Sequence, residues 1–379
     1  MATGAMDGRL HKRIEMCYTV PMKRTVCLLT ILLALLLPAG CHRTPGPAPA
    51  DTASPGGDAV SLLPLPSETP LPLAPPTPTP DPLLAGDGVY TIGWLSDTQH
   101  YSRRYPAIFL EQTRFLAQNA ERLNLVYVAH TGDLVHNRDE EAQWRAADEA
   151  MRALGTIPYG VLPGNHDVSD EDHSAYSHWF GAARMEGKPW YGGSYEDNCG
   201  HFDLIDAGNT KYLFVYLGYN MDESGIRFVN ETLAAHHDRV GVLLVHSYFD
   251  SDCTLTDQGQ LLYDSVVLRN PNLYMVLCGH RYNSRCIPAA VDDDGDGAAD
   301  RTVLQMICNY QAAGFVGGDG YLRLMQVDEA AGEIRFYNYS PLHDDFVYYD
   351  TEEHRSENHA FDPDGEQGVV PIPWMAAGS

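Results

Sequence analysis

Five short polar motifs carry the side chains of this chain that are suited to metal or acid-base chemistry. Each motif follows a short apolar run with the composition of a buried β-strand. In chain order they are Asp97-Thr98-Gln99, Gly132-Asp133-Leu134-Val135-His136, Gly164-Asn165-His166-Asp167, His246, and Gly279-His280-Arg281-Tyr282. A single motif of this kind is usually a helix cap or a hydrogen-bonded surface residue. Five in succession predict a shared site, because ligands of open α/β sheets gather beyond the carboxyl ends of the strands.

The donor atoms of these motifs indicate transition metals. Carboxylate oxygen, amide oxygen and imidazole nitrogen together suit divalent or trivalent ions such as Mn, Fe or Zn. Two such ions about 3.5–4 Å apart can deprotonate a shared water and clamp phosphoryl oxygens. The glycines allow tight turns, so that Asp133, Asn165 and His280 can point into one pocket. The motifs therefore predict a transition-metal centre.

The order of the motifs resembles the signature of the calcineurin-like metallophosphoesterases, which runs D-x-H, G-D-x-x-D, G-N-H-D/E, a single H, and G-H-x-H. The resemblance covers Ile92 to Ser340. It implies metal-dependent hydrolysis of a phosphate ester, with Asp133 bridging both ions and Asp97 on the first. The implied ligands of the second ion are Asn165, His246 and His280.

The same resemblance gives His166 a catalytic role, in which its imidazole stabilises or protonates the leaving oxygen. Asp167 is expected to fix the orientation of that ring. General acid assistance of this kind contributes about 10²–10⁴ in rate.

Two departures from the signature affect the first metal site, since Gln99 and Tyr282 replace histidines. In an extended segment Gln99 points the same way as Asp97, so it either offers a neutral oxygen or hydrogen-bonds beside the site. His136 follows Asp133 by three residues and shares its face if the chain turns helically there. The purple acid phosphatases, which the chain resembles, place a metal-binding tyrosine at that offset. A phenolate from Tyr282 and a weakly occupied first site are the alternatives.

Arginines beside the ligand segments are candidates for binding the substrate. Arg281 and Arg103 are the main candidates, because a guanidinium fork suits phosphate oxygens. Solvated surface charge is the alternative for each. Gln311, at the end of another apolar run, is expected by its position to line the cleft.

An acidic loop resembles a calcium-binding loop. Its expected ligands are the carboxylates of Asp292, Asp294, Asp296 and Asp300 and the backbone carbonyl of Ala298. Val303 stands where such loops usually carry a bidentate glutamate. The prediction is a structural calcium ion, and the alternative is a hydrated acidic turn.

The fold class follows from the alternation of strand-like and helical segments within residues 88–350, together with two hairpins. It is an α/β class, a four-layer α/β/β/α sandwich of two mixed β-sheets flanked by helices, with the metal site at strand ends. The strand candidates are Tyr90–Leu95, Leu125–Ala129, Tyr159–Leu162, Val240–Val245 and Leu273–Cys278. The helix candidates are Tyr105–Arg122, Asp139–Leu154, Ser224–His237 and Gln258–Arg269, the second opened by a capping box of Asn137 and Glu140. Residues 351–379 are expected to form a tail.

The N-terminal part predicts export. Residues 1–41 resemble a bacterial lipoprotein signal peptide that ends at Cys41, the expected site of lipidation, and its apolar run is too short to span a membrane. Residues 42–87 are rich in proline and predict an extended tether. The expected location is extracytoplasmic, on the surface of a bacterial cell membrane. Secretion without lipid and an uncleaved anchor are the alternatives.

Charge limits the partners. The formal net charge is −26, from 25 basic and 51 acidic residues, so nucleic-acid polymers are not expected to bind. The expected substrate is a small-molecule or cell-envelope phosphate ester, either a monoester or a diester, and the membrane is contacted only through the lipid. The alternative function is a binding protein that keeps the fold without turnover.

Overall fold

The computed structural model describes residues 81–169, 172–219, 222–314, 316–348 and 365–376, and its strands form two mixed sheets. In spatial order the first sheet contains β13 (Gly368–Pro371), β12 (Glu333–Tyr339), β11 (Leu322–Asp328), β1 (Val89–Leu95), β2 (Leu125–His130) and β3 (Tyr159–Val161). The second contains β4 (Tyr191–Tyr195), β5 (Gly200–Ala207), β6 (Thr210–Leu217), β7 (Val240–Val245), β8 (Leu273–Cys278), β10 (Arg301–Asn309) and β9 (Asn283–Val291).

Helices connect the strands and cover the outer faces of both sheets. They are α1 (Gln99–Arg104), α2 (Pro106–Gln118), α3 (Ala120–Leu123), α4 (Glu141–Arg152), α5 (Ser174–Phe180), α6 (Ala182–Met185), α7 (Glu223–Ala235), α8 (Asp257–Ser265), a 3-10 turn (Val267–Arg269) and α9 (Pro373–Ala376). Every helix in the described ranges is too short or too polar to cross a membrane.

Three buried clusters define the layers. The central cluster joins the inner faces of the two sheets, through residues such as Ile92 of β1 and Phe214 of β6. A second cluster packs α2 and α4 on the first sheet, with Trp144 fully buried. A third packs α7 and α8 on the second sheet through residues such as Val229 and Leu262. This arrangement confirms the predicted α/β/β/α sandwich.

The parallel strand pairs determine where a site can form. In the first sheet β1, β2 and β3 run parallel, and in the second β6, β7, β8 and β10 run parallel. The segments that leave these strands therefore meet at one edge of each sheet, as expected from the sequence.

Two local expectations were wrong in detail. The predicted helix Tyr105–Arg122 is divided between α2 and α3, with Asn119 at the junction. Asn137 does not cap α4, because the helix begins at Glu141 and the Asn137 side-chain oxygen accepts a hydrogen bond from the backbone N–H of Asp139 (3.2 Å).

The folded part extends beyond residues 88–350 at both ends. Leu83 is buried, and the carbonyl of Pro82 accepts hydrogen bonds from the Tyr337 hydroxyl (2.6 Å) and from Gln326 (3.1 Å). Residues 81–87 therefore belong to the fold and not to the tether. The expected tail is also wrong in part, because β13 pairs antiparallel with β12. Residues 1–80, including the predicted signal peptide and Cys41, lie outside the described residues.

Candidate metal centre

The strand ends bring the predicted ligands together. The Nε2 atom of His246 lies 3.1 Å from Asn165 Oδ1, 3.2 Å from His280 Nδ1 and 3.4 Å from Asp133 Oδ1. Ligand atoms of Asp97, Asp133 and His246 lie within 4.8 Å of one another. The segments after β1, β2, β3, β7 and β8 thus form one cluster with contributions from both sheets, in which Asp97, Asp133 and His246 are buried.

Three of these residues adopt backbone conformations that non-glycine residues rarely populate. The φ angles of Asp97, Asp133 and His280 are 53°, 57° and 68°. Such conformations cost about 1–3 kcal/mol each and persist where the surroundings fix them. Here the backbone N–H of Asp97 donates to the Gly132 carbonyl (3.1 Å), and that of His280 donates to the Asp97 carboxylate (3.1 Å). The turns therefore aim both carboxylates inward.

Glycines next to the ligands leave room for the carboxylates. A Cβ atom on Gly164 would lie 2.1 Å from Asp133 Oδ1, and one on Gly279 would lie 2.2 Å from Asp97 Oδ2. The sequence predicted these glycines as sites of tight turning. The structure adds that each lacks a side chain because a carboxylate occupies that volume.

The hydrogen bonds of His246 show which of its ring nitrogens carries the lone pair. Its Nδ1 lies 2.8 Å from the Thr131 carbonyl, which can only accept, so the ring hydrogen is on Nδ1. In the neutral ring Nε2 then presents a lone pair to the oxygens of Asp133 and Asn165 and to His280 Nδ1. Metal-binding histidines are usually oriented in this way by a carbonyl behind the ring.

The buried charges of the cluster require a cation. Burial raises the pKa of Asp97 to about 7, and the charge of Asp133 contributes to the rise. Burial favours the neutral form of His246, but the charges of Asp133 and Asp97 outweigh it and raise its pKa to about 9. Since isolated buried charges are costly, the two carboxylates need either a proton on His246 or a bound positive ion. The residues therefore fit a divalent metal.

Gln99 contacts the cluster from the start of a helix and not, as expected, from an extended segment. It is the first residue of α1 and not part of an extended segment, so the predicted alignment with Asp97 was wrong. Its Nε2 donates to Asp133 Oδ2 (3.0 Å) and to Gln311. Its Oε1 is buried and has no hydrogen-bond partner among the described residues. Gln311, expected from its position to line the cleft, also approaches Asp97 Oδ1 (3.4 Å).

The two proposed substitutes for the missing histidines do not join the cluster. No helix forms around His136, so it does not share a helical face with Asp133, and its ring stacks between those of His100 and His166. The Tyr282 side chain is 43% exposed, in the bend before β9. The helical spacing expected for His136 was therefore wrong, and metal binding by His136 or Tyr282 stays a prediction.

His166 lies beside the cluster. Asp167 does not orient the His166 ring, as was predicted, but binds backbone N–H groups. The backbone N–H of His166 donates to Asp133 Oδ1 (3.0 Å), and its Nδ1 donates to the His136 carbonyl (2.8 Å). That carbonyl, not Asp167, orients the ring. The Asp167 carboxylate accepts from the backbone N–H groups of Gly164 (2.8 Å), Leu134 (3.0 Å) and Val135 (2.9 Å). It joins the two ligand loops to each other.

The residues around the cluster include one that the sequence did not single out. The ring of Tyr219 lies 5.9 Å from those of His246 and His280. Its one sequence signal is its position just after β6. Arg281 and Arg103 are exposed, and Arg281 lies 3.6 Å from Asp250.

The acidic loop joins β9 to β10. Carboxylate oxygens of Asp292, Asp294 and Asp300 lie within 4.8 Å of one another, whereas Asp296 accepts from the N–H of Ala298 (2.8 Å). These residues are exposed, and Val303 is buried in β10. Calcium binding stays a prediction.

Calcium is expected to stabilise the protein if this loop binds it, because the ion offsets repulsion between the carboxylates. At a calcium concentration about 100-fold above the Kd, the free energy of unfolding should rise by about 2.7 kcal/mol. A thermal melt measures this rise. The double variant Asp294→Ala, Asp296→Ala should lose the response, whereas Asp238→Ala, which changes an exposed carboxylate elsewhere, should keep it. An equal response in the double variant would rule the site out.

Comparisons with known proteins agree with this geometry. The family model for calcineurin-like phosphoesterases matches residues 90–283, slightly more than half of the chain. The uncharacterized protein YvnB of Bacillus subtilis (strain 168) is 41% identical over 276 residues, which cover 72% of this chain and 21% of YvnB. The chain thus spans about a fifth of the length of that relative.

Solved structures that align with the chain share little sequence with it. A purple acid phosphatase from yellow lupin (Lupinus luteus) seeds is 13% identical with a TM-score of 0.46, covering 71% of this chain and 54% of that one. A 5'-nucleotidase precursor from Thermus thermophilus is 12% identical with a TM-score of 0.39, covering 76% and 55%.

Proposed function

Since the chain belongs to the calcineurin-like phosphoesterase family, we propose that it hydrolyses phosphate esters with the help of two bound metal ions. The observation that carries this proposal is the set of acceptor atoms around His246 Nε2, all within 3.4 Å. Since Asp97 and Asp133 are buried beside these atoms, the cluster needs a positive charge, which a proton on His246 or a bound metal ion can supply. The donor set of carboxylate, amide and imidazole suits Mn, Fe or Zn.

The ligands divide between two positions that share Asp133. One ion would be held by Asp133, Asn165, His246 and His280. The other would be held by Asp97, Asp133 and the amide oxygen of Gln99, which is buried without a partner among the described residues. When bound, such ions lower the pKa of a water molecule and offset the charge of the phosphoryl oxygens.

His166 is the residue that we assign to the leaving group. Because the His136 carbonyl holds its Nδ1 hydrogen, Nε2 is the ring atom that faces the leaving oxygen, and in the protonated ring its N–H can bind that oxygen and donate the proton to it. The hydrogen bond from its backbone N–H to Asp133 keeps the ring next to the metal ligands. Asp167 acts as a positioning residue by fixing the two loops that carry Asp133 and His166.

We further propose that the protein acts outside the cytoplasm, held at a bacterial membrane by a lipid on Cys41. The support is the sequence alone: a short apolar run, small residues before the cysteine, and a proline-rich segment after it. A small-molecule or cell-envelope phosphate ester fits this placement. The net charge of −26 disfavours nucleic-acid polymers.

A binding protein without turnover is the second candidate, and one observation favours it. Gln99 stands where the family signature has a histidine, and Tyr282, which replaces a second histidine, is exposed, so the first metal position has fewer strong donors than the other. A weakly held first ion would leave the fold and one metal intact while reducing hydrolysis.

The test is hydrolysis of nitrophenyl phosphate monoesters and diesters with added Mn²⁺, Zn²⁺ or Fe²⁺. We expect metal-dependent release of nitrophenol. His166→Asn should lower kcat by about 10²–10⁴ while leaving the metal content near normal. His237→Asn, which alters an exposed histidine of the segment after α7, is the matched control. Absence of metal-dependent release from every ester would contradict the proposal and favour the binding protein.

A further inference from the structure

Three imidazole rings form a stack that leads away from the metal centre. The ring centroids of His166 and His136 are 4.8 Å apart, and those of His136 and His100 are 5.6 Å apart, both pairs with an interplanar angle of 28°. His166 contacts Asp133 at one end of the stack. His100 lies at the other end, on α1. Gly317 packs against it, since a Cβ there would lie 2.6 Å from that of His100.

One ring nitrogen of His136 makes no hydrogen bond within the described part of the chain. Its Nδ1 is buried and has no hydrogen-bond partner among the described residues. A neutral imidazole keeps one N–H donor and one acceptor. Burial, aided by the charges of His166 and Arg103, lowers the pKa of His136. A buried polar atom without a partner is costly, so this nitrogen marks a position where a ligand or water would complete the site.

Two arginines lie at the far end of the stack. Arg103 and Arg104 form the last turn of α1 and are exposed, and neither pairs with a carboxylate in the described part of the chain. They follow His100 by three and four residues in the same helix, so their side chains and the His100 ring share one face of α1. In a chain with twice as many acidic as basic residues, unpaired arginines beside the centre are a local source of positive potential.

We propose that His100, His136, Arg103 and Arg104 form an anion subsite, so that preferred substrates carry a second phosphate or similar anionic group near the ester that is cleaved. This inference rests on the proposed function. The centre would take the reacting phosphate, and the stack of rings, with centroids 4.8 and 5.6 Å apart, leads from His166 to the helix that carries the two arginines. The imidazoles supply flat surfaces and N–H donors between the two anionic positions. Arginine forks then supply charge-assisted hydrogen bonds.

A matched pair of esters tests the subsite. Thymidine 5'-(4-nitrophenyl phosphate) and its 3'-phosphorylated counterpart differ by one phosphate group. We expect kcat/KM to be at least about tenfold higher for the second, as one charge-assisted contact would give. The double variant Arg103→Gln, Arg104→Gln should reduce this ratio to about threefold or less. Arg114→Gln, an exposed arginine on α2 with the same change in charge, should keep the wild-type ratio.

Binding of the products separates this proposal from the proposed function. Calorimetry with thymidine 3',5'-bisphosphate and thymidine 5'-monophosphate should show the same preference in Kd, and the same loss in the double variant. If neither ester is hydrolysed, the proposed function fails, yet a preserved Kd ratio still supports the subsite. A wild-type ratio near one in both assays, or an unchanged ratio in the double variant, overturns the subsite.

Discussion

Replacing Asp133 with asparagine is expected to remove most bound metal and to lower kcat/KM by more than about 100-fold, the upper range for residues that only support ligands. The Asp133 carboxylate is fully engaged: Oδ1 faces His246 Nε2 and accepts from the His166 N–H, and Oδ2 accepts from Gln99. An asparagine would keep one acceptor oxygen and replace the other with an NH₂ group. That group would face either Gln99 Nε2, which is itself a donor, or the His166 N–H and His246 Nε2. In the proposed centre for two ions, both metal positions would lose a shared charged ligand.

Metal analysis and steady-state kinetics measure this effect. Asp139→Asn makes the same chemical change at an exposed carboxylate six residues further on, and it should leave metal content and activity near those of the wild type. A metal titration of the wild type should show two unequal affinities, the tighter one from the position with two imidazoles. An Asp133→Asn variant that binds both ions normally would contradict the bridging assignment.

The strands and their ligand ends could be predicted from sequence because each depends on local patterns. A buried parallel strand is a short apolar run, and a ligand follows it within a few residues, so β7 was predicted from Val240 to Val245 with His246 directly after it. The order of the strands then brings distant ligands to one edge. These are properties of short segments, which a single sequence carries.

The side-chain directions beyond the strands could not be predicted in this way. Whether Gln99 continues an extended segment or begins a helix depends on how α1 packs beneath the loop around Gly317. His136 was placed by helical spacing, yet the chain around it is held by the Asp167 carboxylate and by Gln143, which accepts from the His136 N–H (2.8 Å). Such contacts join residues far apart in sequence, and no periodicity encodes them.

The C-terminal strand was missed for a related reason. β13 is a four-residue strand at the edge of the first sheet, with alternately exposed residues and a proline at its end. A short edge strand carries little apolar pattern of its own. Its partner β12 and the buried Glu366 before it fix its position, and both are tertiary features.

Gly164 occupies the tightest position in the site. A Cβ there would lie 2.1 Å from Asp133 Oδ1 and 2.5 Å from the Asp133 backbone nitrogen. A side chain can turn away from such a contact, but the backbone nitrogen cannot move without its loop. The loops after β2 and β3 would therefore have to separate, which would also break the bond from the Gly164 N–H to Asp167 (2.8 Å).

We therefore expect Gly164→Ala to lower the free energy of unfolding by about 1–3 kcal/mol, the usual cost of overpacking. It should also lower activity and metal affinity, since Asp133 and Asn165 move apart. Denaturant unfolding and metal titration measure the two effects. Gly86→Ala is the control, because its added Cβ would meet only Val89 Cγ2 at an ordinary 3.7 Å and should change stability by about 1 kcal/mol or less. Should Gly164→Ala match this control in stability and metal affinity, the close packing of the two loops would not be what positions Asp133.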